Sequence, residues 1–156
     1  MTGLTNKYLE DISKKYVGKS FIGVYPVDVI PKCKKKSFAV IFNLSKHYEP
    51  GSHFIAIVKK QKHITYFDSF GKKCSNKNLL TFMKKFNTRI YYNKHKIQHD
   101  ESYFCGYYCF YFICYCLCLN KTLTQFTTQF NTDQLKQNDS LLISYIVDTI
   151  RNMKIK

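Results

Sequence analysis

The stretch that decides the fold of this chain is DESYFCGYYCFYFICYCLCLN, residues 100–120. It holds five of the seven cysteines and is the most apolar run of the sequence. Its uncharged part, residues 103–119, is shorter than the roughly 20 predominantly apolar residues of a membrane-spanning helix and includes polar Tyr and Gly. We therefore expect a buried helix of the core, although composition alone would also allow a strand.

The cysteines have the spacing of neither a zinc site nor a disulfide scaffold. Zinc sites usually pair cysteines as CxxC, a motif that is absent from the sequence. Seven is an odd number, and the opening residues MTGLTNKYLEDISKKYVGKS contain no apolar signal segment. We therefore expect a reducing intracellular compartment, no bound metal, and thiols that mostly act as small apolar side chains.

The composition indicates one globular domain with a strong positive charge. The chain has 156 residues, of which 45% are hydrophobic, so we assign residues 1–156 to a single domain. The net charge is +15, from 25 Lys and Arg against 10 Asp and Glu. Such a charge attracts polyanions, above all nucleic acid, although a surface that only keeps the protein soluble has the same composition. The basic clusters are Lys32, Lys34, Lys35 and Lys36; Lys59, Lys60 and Lys62; and Lys72 and Lys73.

Hydrophobic periodicity predicts an α+β order of elements. Helix 4–17 should bury a side made by Leu4, Tyr8, Ile12 and Tyr16, and residues 21–31 should be extended or looped between prolines. Three adjacent antiparallel strands are expected from β-branched and aromatic content, the first two joined by the turn EPGS at 49–52. The predicted strands are 37–44, 52–60, 63–71 and 89–98, and the remaining predicted helices are 75–87, 105–119 and 139–152.

Cys105 differs from the other cysteines because it stands at the start of the apolar run, directly before Gly106. If a helix begins there, its free N–H groups and the positive end of its dipole favour the thiolate over the thiol. Gly106 would let a substrate backbone come close. These features are typical of a cysteine nucleophile.

Three other residues complete a candidate site. A thiolate nucleophile needs a base, and the base needs an orienting group. His53 opens a predicted strand and Asp68 ends the next one, so antiparallel pairing would place them side by side. Gln98 precedes Cys105 by seven residues, and its amide could donate to an oxyanion together with the Cys105 backbone N–H. Each signal alone is weak, because a histidine or aspartate at a strand end is usually only a surface or turn residue.

In this order, GSHFIAIV (51–58), YFDSFG (66–71), KIQ (96–98) and FCGYYCFYF (104–112) resemble the adenovirus-type maturation protease family, adenain, and its relatives the SUMO-specific proteases. The resemblance covers roughly residues 20–120 and includes the family pattern of His, acid, Gln and Cys-Gly. Two residues depart from it. Phe54 stands where the family usually has a Trp that covers the imidazole, and we expect Phe54 to cover it in the same way. Asp68 matches the SUMO-specific branch where adenain has Glu.

The resemblance implies an adenain-like or papain-like cysteine peptidase fold, with a mixed sheet packed on a central helix that starts at the catalytic cysteine. It assigns Cys105 as nucleophile, His53 as base, Asp68 as its orienting group and Gln98 as oxyanion donor. It further implies cleavage of viral capsid or core precursors at Gly-containing sites, with DNA as an activator rather than a cofactor required for the chemistry. Because the chain is short, close to a minimal catalytic core, the resemblance also points to viral and transposon-borne relatives such as those of virophages and Polinton-like elements.

The resemblance leads us to expect a monomer without a membrane partner, in the virion and in the nucleus or cytoplasmic virus factory of an infected cell. Two alternatives stay open at this stage. One is an isopeptidase for SUMO or ubiquitin-like proteins, although such enzymes usually carry an extended surface for the globular partner. The other is a non-catalytic basic protein that binds nucleic acid.

Overall fold

A mixed sheet lies at the centre of the computed structural model, which describes residues 4–46, 48 and 53–154. Within these residues the sheet has five strands in chain order, with β1 parallel to β2, β4 parallel to β5, and β2, β3 and β4 antiparallel. The predicted antiparallel unit is confirmed, while its EPGS turn lies outside the described residues. The strands are β1 (Phe21–Pro26), β2 (Ser37–Asn43), β3 (Phe54–Lys60), β4 (His63–Phe67) and β5 (Arg89–Tyr92).

Helices cover both faces of the sheet. A π-helical turn, Cys114–Cys118, continues the central helix, and short 3₁₀ turns occupy Gly18–Ser20 and Leu135–Gln137. No helix among the described residues is long and apolar enough to cross a membrane. The helices are α1 (Asn6–Val17), α2 (Lys77–Lys84), α3 (Cys105–Ile113), α4 (Leu123–Thr127) and α5 (Asn138–Lys154).

Strand β3 is buried on both sides because α2 and α3 pack on opposite faces of the sheet. Ile55 and Ile57 join the core that contains Leu79 of α2, whereas Ala56 and Val58 join the core that contains α3. A strand covered on both faces needs apolar residues at every position, which explains its unbroken hydrophobic run. Helix α3 thus forms the buried helix that the composition of residues 103–119 predicts.

Helix α1 buries a different set of residues from the predicted one. The buried side of α1 contains Leu9 and Ser13, with Ile12 and Tyr16 partly buried, while the predicted core residue Tyr8 is 53% exposed. Of residues 21–31, predicted to be extended or looped, residues 21–26 take the extended form because they pair in parallel with β2.

Strand β5 ends at Tyr92 because the next residue, Asn93, bonds the backbone after β4 through its side chain instead of its own backbone. Asn93 Oδ1 accepts from the Asp68 N–H at 3.0 Å, and Asn93 Nδ2 donates to the Asp68 carbonyl at 2.6 Å. The predicted strand 89–98 is therefore too long by six residues, since residues 93–98 form a loop that reaches the candidate site.

Candidate active site

The register between β3 and β4 places His53 and Asp68 side by side. Ala56 pairs with Phe67 in the antiparallel ladder, so the same register continued past both strands sets His53 opposite Phe70 and makes His53 and Asp68 diagonal neighbours on one face. His53 Nε2 lies 2.8 Å from Asp68 Oδ1. Both side chains are withdrawn from water, at 12% and 3% exposure respectively. Low exposure strengthens a charged hydrogen bond because solvent screens it less.

Asp68 is fixed from several directions. Its Oδ1 accepts a second hydrogen bond from the Phe70 N–H at 2.8 Å, and its backbone is paired with the Asn93 side chain. The Gly71 N–H closes a turn onto the Asp68 carbonyl at 2.8 Å. This support leaves the carboxylate few alternative positions, so it can hold one orientation of the His53 ring.

Cys105 is the first residue of α3 and borders the same cleft as the imidazole. No side chain caps this helix, whose N-cap is Phe104. Both Asp68 and Cys105 are close enough to His53 to change the pKa of its ring. Burial lowers the pKa of His53, but the hydrogen bonds and negative charges of Asp68 and Cys105 outweigh burial and raise that pKa to about 9. The ring therefore carries a proton at neutral pH when it faces a thiolate.

Gln98 reaches the site from the loop after β5 and is 1% exposed. Its Nε2 donates to the Ser102 carbonyl at 2.9 Å, with a longer 3.3 Å contact to Ser102 Oγ, and its Oε1 accepts from Ser69 Oγ at 2.5 Å. An amide nitrogen has two hydrogens: one goes to the Ser102 carbonyl, and the other has only the long contact to Ser102 Oγ, which a stronger acceptor in the cleft would replace. The structure therefore brings His53, Asp68, Gln98 and Cys105 to one place.

The aromatic ring that covers the imidazole is Phe70. Its ring stacks on His53 with 4.6 Å between centroids, and the Lys96 ammonium lies over the same Phe70 ring at 5.4 Å. Phe54 instead packs in the core with α3, so its expected role as the cover of the imidazole is wrong. Phe70 lies opposite His53 in the continued β3–β4 register, a position that no periodicity of the sequence marks.

Gly106 also differs from expectation. It is buried, and a Cβ atom there would lie 3.3 Å from Leu9 Cδ2 and 3.4 Å from Leu4 Cβ. Its small size therefore lets α1 approach the start of α3, rather than making room for a substrate backbone.

A cleft of about 580 Å³ opens beside these residues. Its walls include His53, Gln98 and Cys105 together with residues of the N-terminal segment and of the loop before α3. Two other cavities, of about 610 and 590 Å³, lie away from Cys105, so size alone would not identify the site. The remaining lining residues of the cleft are Leu4, Thr5, Asn6, Asn43, Phe54, Phe70, Asp100, Ser102 and Tyr103.

The other histidines have different surroundings. His63 begins β4 at the far end of the sheet and contacts Tyr91, and His99 Nδ1 accepts from the Glu101 N–H at 3.2 Å. His95 is exposed, and His47 lies outside the described residues. In residues 4–46, 48 and 53–154, no group of three or more His, Cys, Asp and Glu could hold a metal ion.

Comparison with known proteins gives a relationship of fold. No protein-family model and no curated protein sequence matches this chain. A solved structure that it resembles is the crystal structure of the Se-Met ASFV pS273R protease, with a TM-score of 0.61 and 16% sequence identity. The match covers 86% of this chain and 65% of the protease chain, so this chain spans less than two thirds of that length. The expected α+β cysteine peptidase fold is confirmed, and a viral protease shares it.

Proposed function

We propose that this chain is a cysteine endopeptidase. The observation that carries the proposal is the imidazole of His53, which bonds Asp68 and borders one open cleft together with Cys105 at the start of a helix. A nucleophile, a base and an orienting acid in contact are what acyl transfer to a thiol requires. The fold shared with a viral protease supports the same conclusion.

In the proposed acylation, Cys105 Sγ attacks the carbonyl carbon of the scissile peptide, and the C=O electrons move to the oxygen. The Gln98 amide and the Cys105 backbone N–H stabilise this oxyanion. When it collapses, the C–N bond breaks, and His53 gives its proton to the leaving amine. The products of this step are a thioester on Cys105 and a free amine.

Deacylation uses the same groups in reverse. Neutral His53 takes a proton from water while the water oxygen attacks the thioester carbonyl. The C–S bond then breaks, the carboxylic acid leaves, and the thiolate faces a protonated imidazole again. Asp68 keeps the ring oriented through both steps and stabilises the imidazolium.

The substrates we propose are viral capsid or core precursors with Gly-containing cleavage sites, processed in the virion and in the nucleus or virus factory of the infected cell. The resemblance to adenain and its relatives supports this choice, and the likeness to a viral protease agrees with a viral role. An isopeptidase acting on SUMO or ubiquitin-like proteins is the rival that uses identical chemistry.

Mass spectrometry of covalent labelling tests the proposal. A peptide vinyl sulfone ending in Gly should label Cys105 and no other cysteine, whereas SUMO and ubiquitin vinyl sulfones should not react faster than the peptide. The Cys118→Ala variant is the matched control, because it removes a partly buried thiol and should label normally. Labelling spread evenly over the accessible thiols would contradict the enzyme, and preference for the globular probes would favour the isopeptidase.

A further inference from the structure

Ser69 links the two loops that carry the candidate catalytic groups. It lies between Asp68 and Phe70, which orient and cover His53, and it is fully buried. Its hydroxyl is the partner of Gln98 Oε1 at 2.5 Å. Its carbonyl accepts the N–H groups of Ile97 and Gln98 at 2.9 and 3.0 Å. One residue thus contacts Gln98 through both backbone and side chain.

The direction of the Gln98 amide follows from its two neighbours. The Ser102 carbonyl can only accept a hydrogen bond, so the amide atom beside it must be the nitrogen. Oε1 then faces Ser69, and the hydroxyl must donate to it. The reversed amide would set two oxygens together at Ser102 and would present an oxygen, rather than an N–H, to an oxyanion.

We propose that Ser69 is the positioning residue that keeps the Gln98 Nε2–H directed into the oxyanion site, an inference that rests on the proposed function. Without the hydroxyl, Oε1 would be buried without its donor, and the amide plane would lose one of its two fixed ends. If the buried serine had a purely structural role, its loss would lower stability and would change the alkylation of Cys105 and the cleavage of peptides by the same factor.

Two reactions of the same thiol separate these roles. Alkylation by iodoacetamide forms a bond to a tetrahedral carbon and creates no oxyanion, whereas peptide cleavage does. The Ser69→Ala variant should keep the iodoacetamide rate of Cys105 within about twofold, while kcat for a Gly-containing peptide falls roughly 10- to 100-fold at an unchanged KM. In a Gln98→Ala background, Ser69→Ala should change kcat no further, because the group that it positions is absent.

The side-chain amide of Gln98 supplies a readout that does not depend on turnover. Its ¹⁵N-labelled NH₂ resonances should shift in Ser69→Ala and stay unchanged in Ser13→Ala, which removes another fully buried serine hydroxyl on α1. If Ser69→Ala does not fold, Ser69→Cys, which keeps the volume but donates weakly, should show the same changes.

Unchanged amide resonances and kcat would overturn the role of Ser69, as would equal losses in alkylation and cleavage. A wild-type protein that is alkylated but cleaves no peptide would instead contradict the proposed function. In that case the amide resonances alone would still decide whether Ser69 holds Gln98.

Discussion

At the scale of single residues, the site depends on which thiol borders the cleft beside His53. Cys105 and Cys109 lie one turn apart on α3, but Cys109 is fully buried, and burial raises its pKa well above the ordinary value. Cys105 is partly exposed, borders the cleft and contacts His53. The helix therefore carries one thiol placed for chemistry and others that fill the core.

The Cys105→Ala variant should lose all peptide cleavage and still fold, because the change removes a partly exposed sulfur. Cys109→Ser should keep substantial activity but lose about 1–3 kcal/mol of unfolding free energy, since it places a hydroxyl in the core. Progress curves with a fluorogenic peptide and urea unfolding measure the two effects. Wild-type turnover in Cys105→Ala would contradict the assignment of the nucleophile.

The protonation of His53 should limit activity at high pH. Its pKa is raised from 6.5 to about 9, so kcat/KM should fall as the ring loses its proton near pH 9. The raised pKa also stabilises the fold, because the folded protein binds this proton more tightly than the unfolded chain does. This contribution to the free energy of unfolding is fully present below about pH 6.5 and is lost as the pH rises through about 9.

Asp68→Asn removes a negative charge that raises this pKa, and the alkaline limb of kcat/KM should therefore move to lower pH. Glu101→Gln, an exposed change near the loop before α3, is the control and should leave the limb in place. A limb that stays near pH 9 in Asp68→Asn would show that another group controls it.

Three of the four candidate site residues stand at element boundaries that periodicity reveals, whereas Gln98 was selected by its spacing of seven residues before Cys105 and lies in the loop after β5. His53 and Asp68 flank adjacent strands, and Cys105 opens an apolar run. Phe70, Asn93 and Ser69 were missed because their roles depend on hydrogen bonds and ring contacts within loops, which follow no periodicity. Phe54 was misassigned because an aromatic next to His53 in sequence points into the core of a strand buried on both faces.

At the scale of the elements, the start of α5 holds the loop that precedes α3. Asp139 Oδ1 accepts from Ser102 Oγ at 3.0 Å and from the Tyr108 hydroxyl at 2.9 Å. Ser102 in turn accepts from Gln98, so a carboxylate in the first turn of α5 supports the loop that carries the oxyanion donor. Burial and the nearby Asp139 charge raise the pKa of Tyr108, which keeps its hydroxyl protonated as a donor.

Asp139→Ala should reduce the unfolding free energy by about 1–3 kcal/mol, because it leaves the hydroxyl of fully buried Tyr108 without its acceptor. Asp148→Ala, an exposed change on the same helix, should stay within about 0.5 kcal/mol of wild type. Urea unfolding of both variants measures the difference. Equal stability of the two variants would show that the Tyr108 contact contributes nothing.

The predicted elements agree with the structure where the sequence has a long apolar run. They differ where contacts with another part of the chain set the buried face or the end of the element. β2, β3 and α3 have long apolar runs and were found. The buried face of α1 was shifted because Ser13, a polar residue, lies in the contact with the core, a choice that hydrophobicity cannot reveal. β5 was drawn too long because the side chain of Asn93, not a strand backbone, continues the pairing with Asp68.

At the scale of the whole molecule, one of the three basic clusters of the sequence, Lys59, Lys60 and Lys62, does not form a positive patch on the surface. Lys59 is buried, with Nζ donating to the carbonyls of Lys36 and Gln61 at 2.8 and 3.0 Å. Lys60 donates to the Cys116 carbonyl at 3.0 Å and to Asn120. Their ammonium groups support the fold, so of that predicted cluster Lys62 alone is exposed.

The other two predicted clusters stay exposed, as a tip between β1 and β2 and a pair after β4. The tip consists of Lys32, Lys34, Lys35 and Lys36, and the pair of Lys72 and Lys73. With 25 basic and 10 acidic residues, at least fifteen positive charges have no carboxylate side chain to pair with one to one. We propose that this surface binds nucleic acid backbones, which would suit an enzyme that acts where viral DNA is packaged.

The last prediction concerns this surface. Fluorescence anisotropy with labelled duplexes should give micromolar or tighter binding at about 50 mM salt, independent of base sequence and weaker at higher salt. Changing Lys32, Lys34 and Lys36 to Glu should reduce the slope of log K against log salt concentration by about 2–3 in magnitude. Each lost phosphate contact removes roughly one ion released on binding. The control with Lys7, Lys77 and Lys136 changed to Glu has the same net charge, and its slope should change by less than about one. No binding at about 50 mM salt, or binding indifferent to salt, would show that the charge serves solubility or another partner, and equal changes in both variants would place the contact elsewhere than the tip.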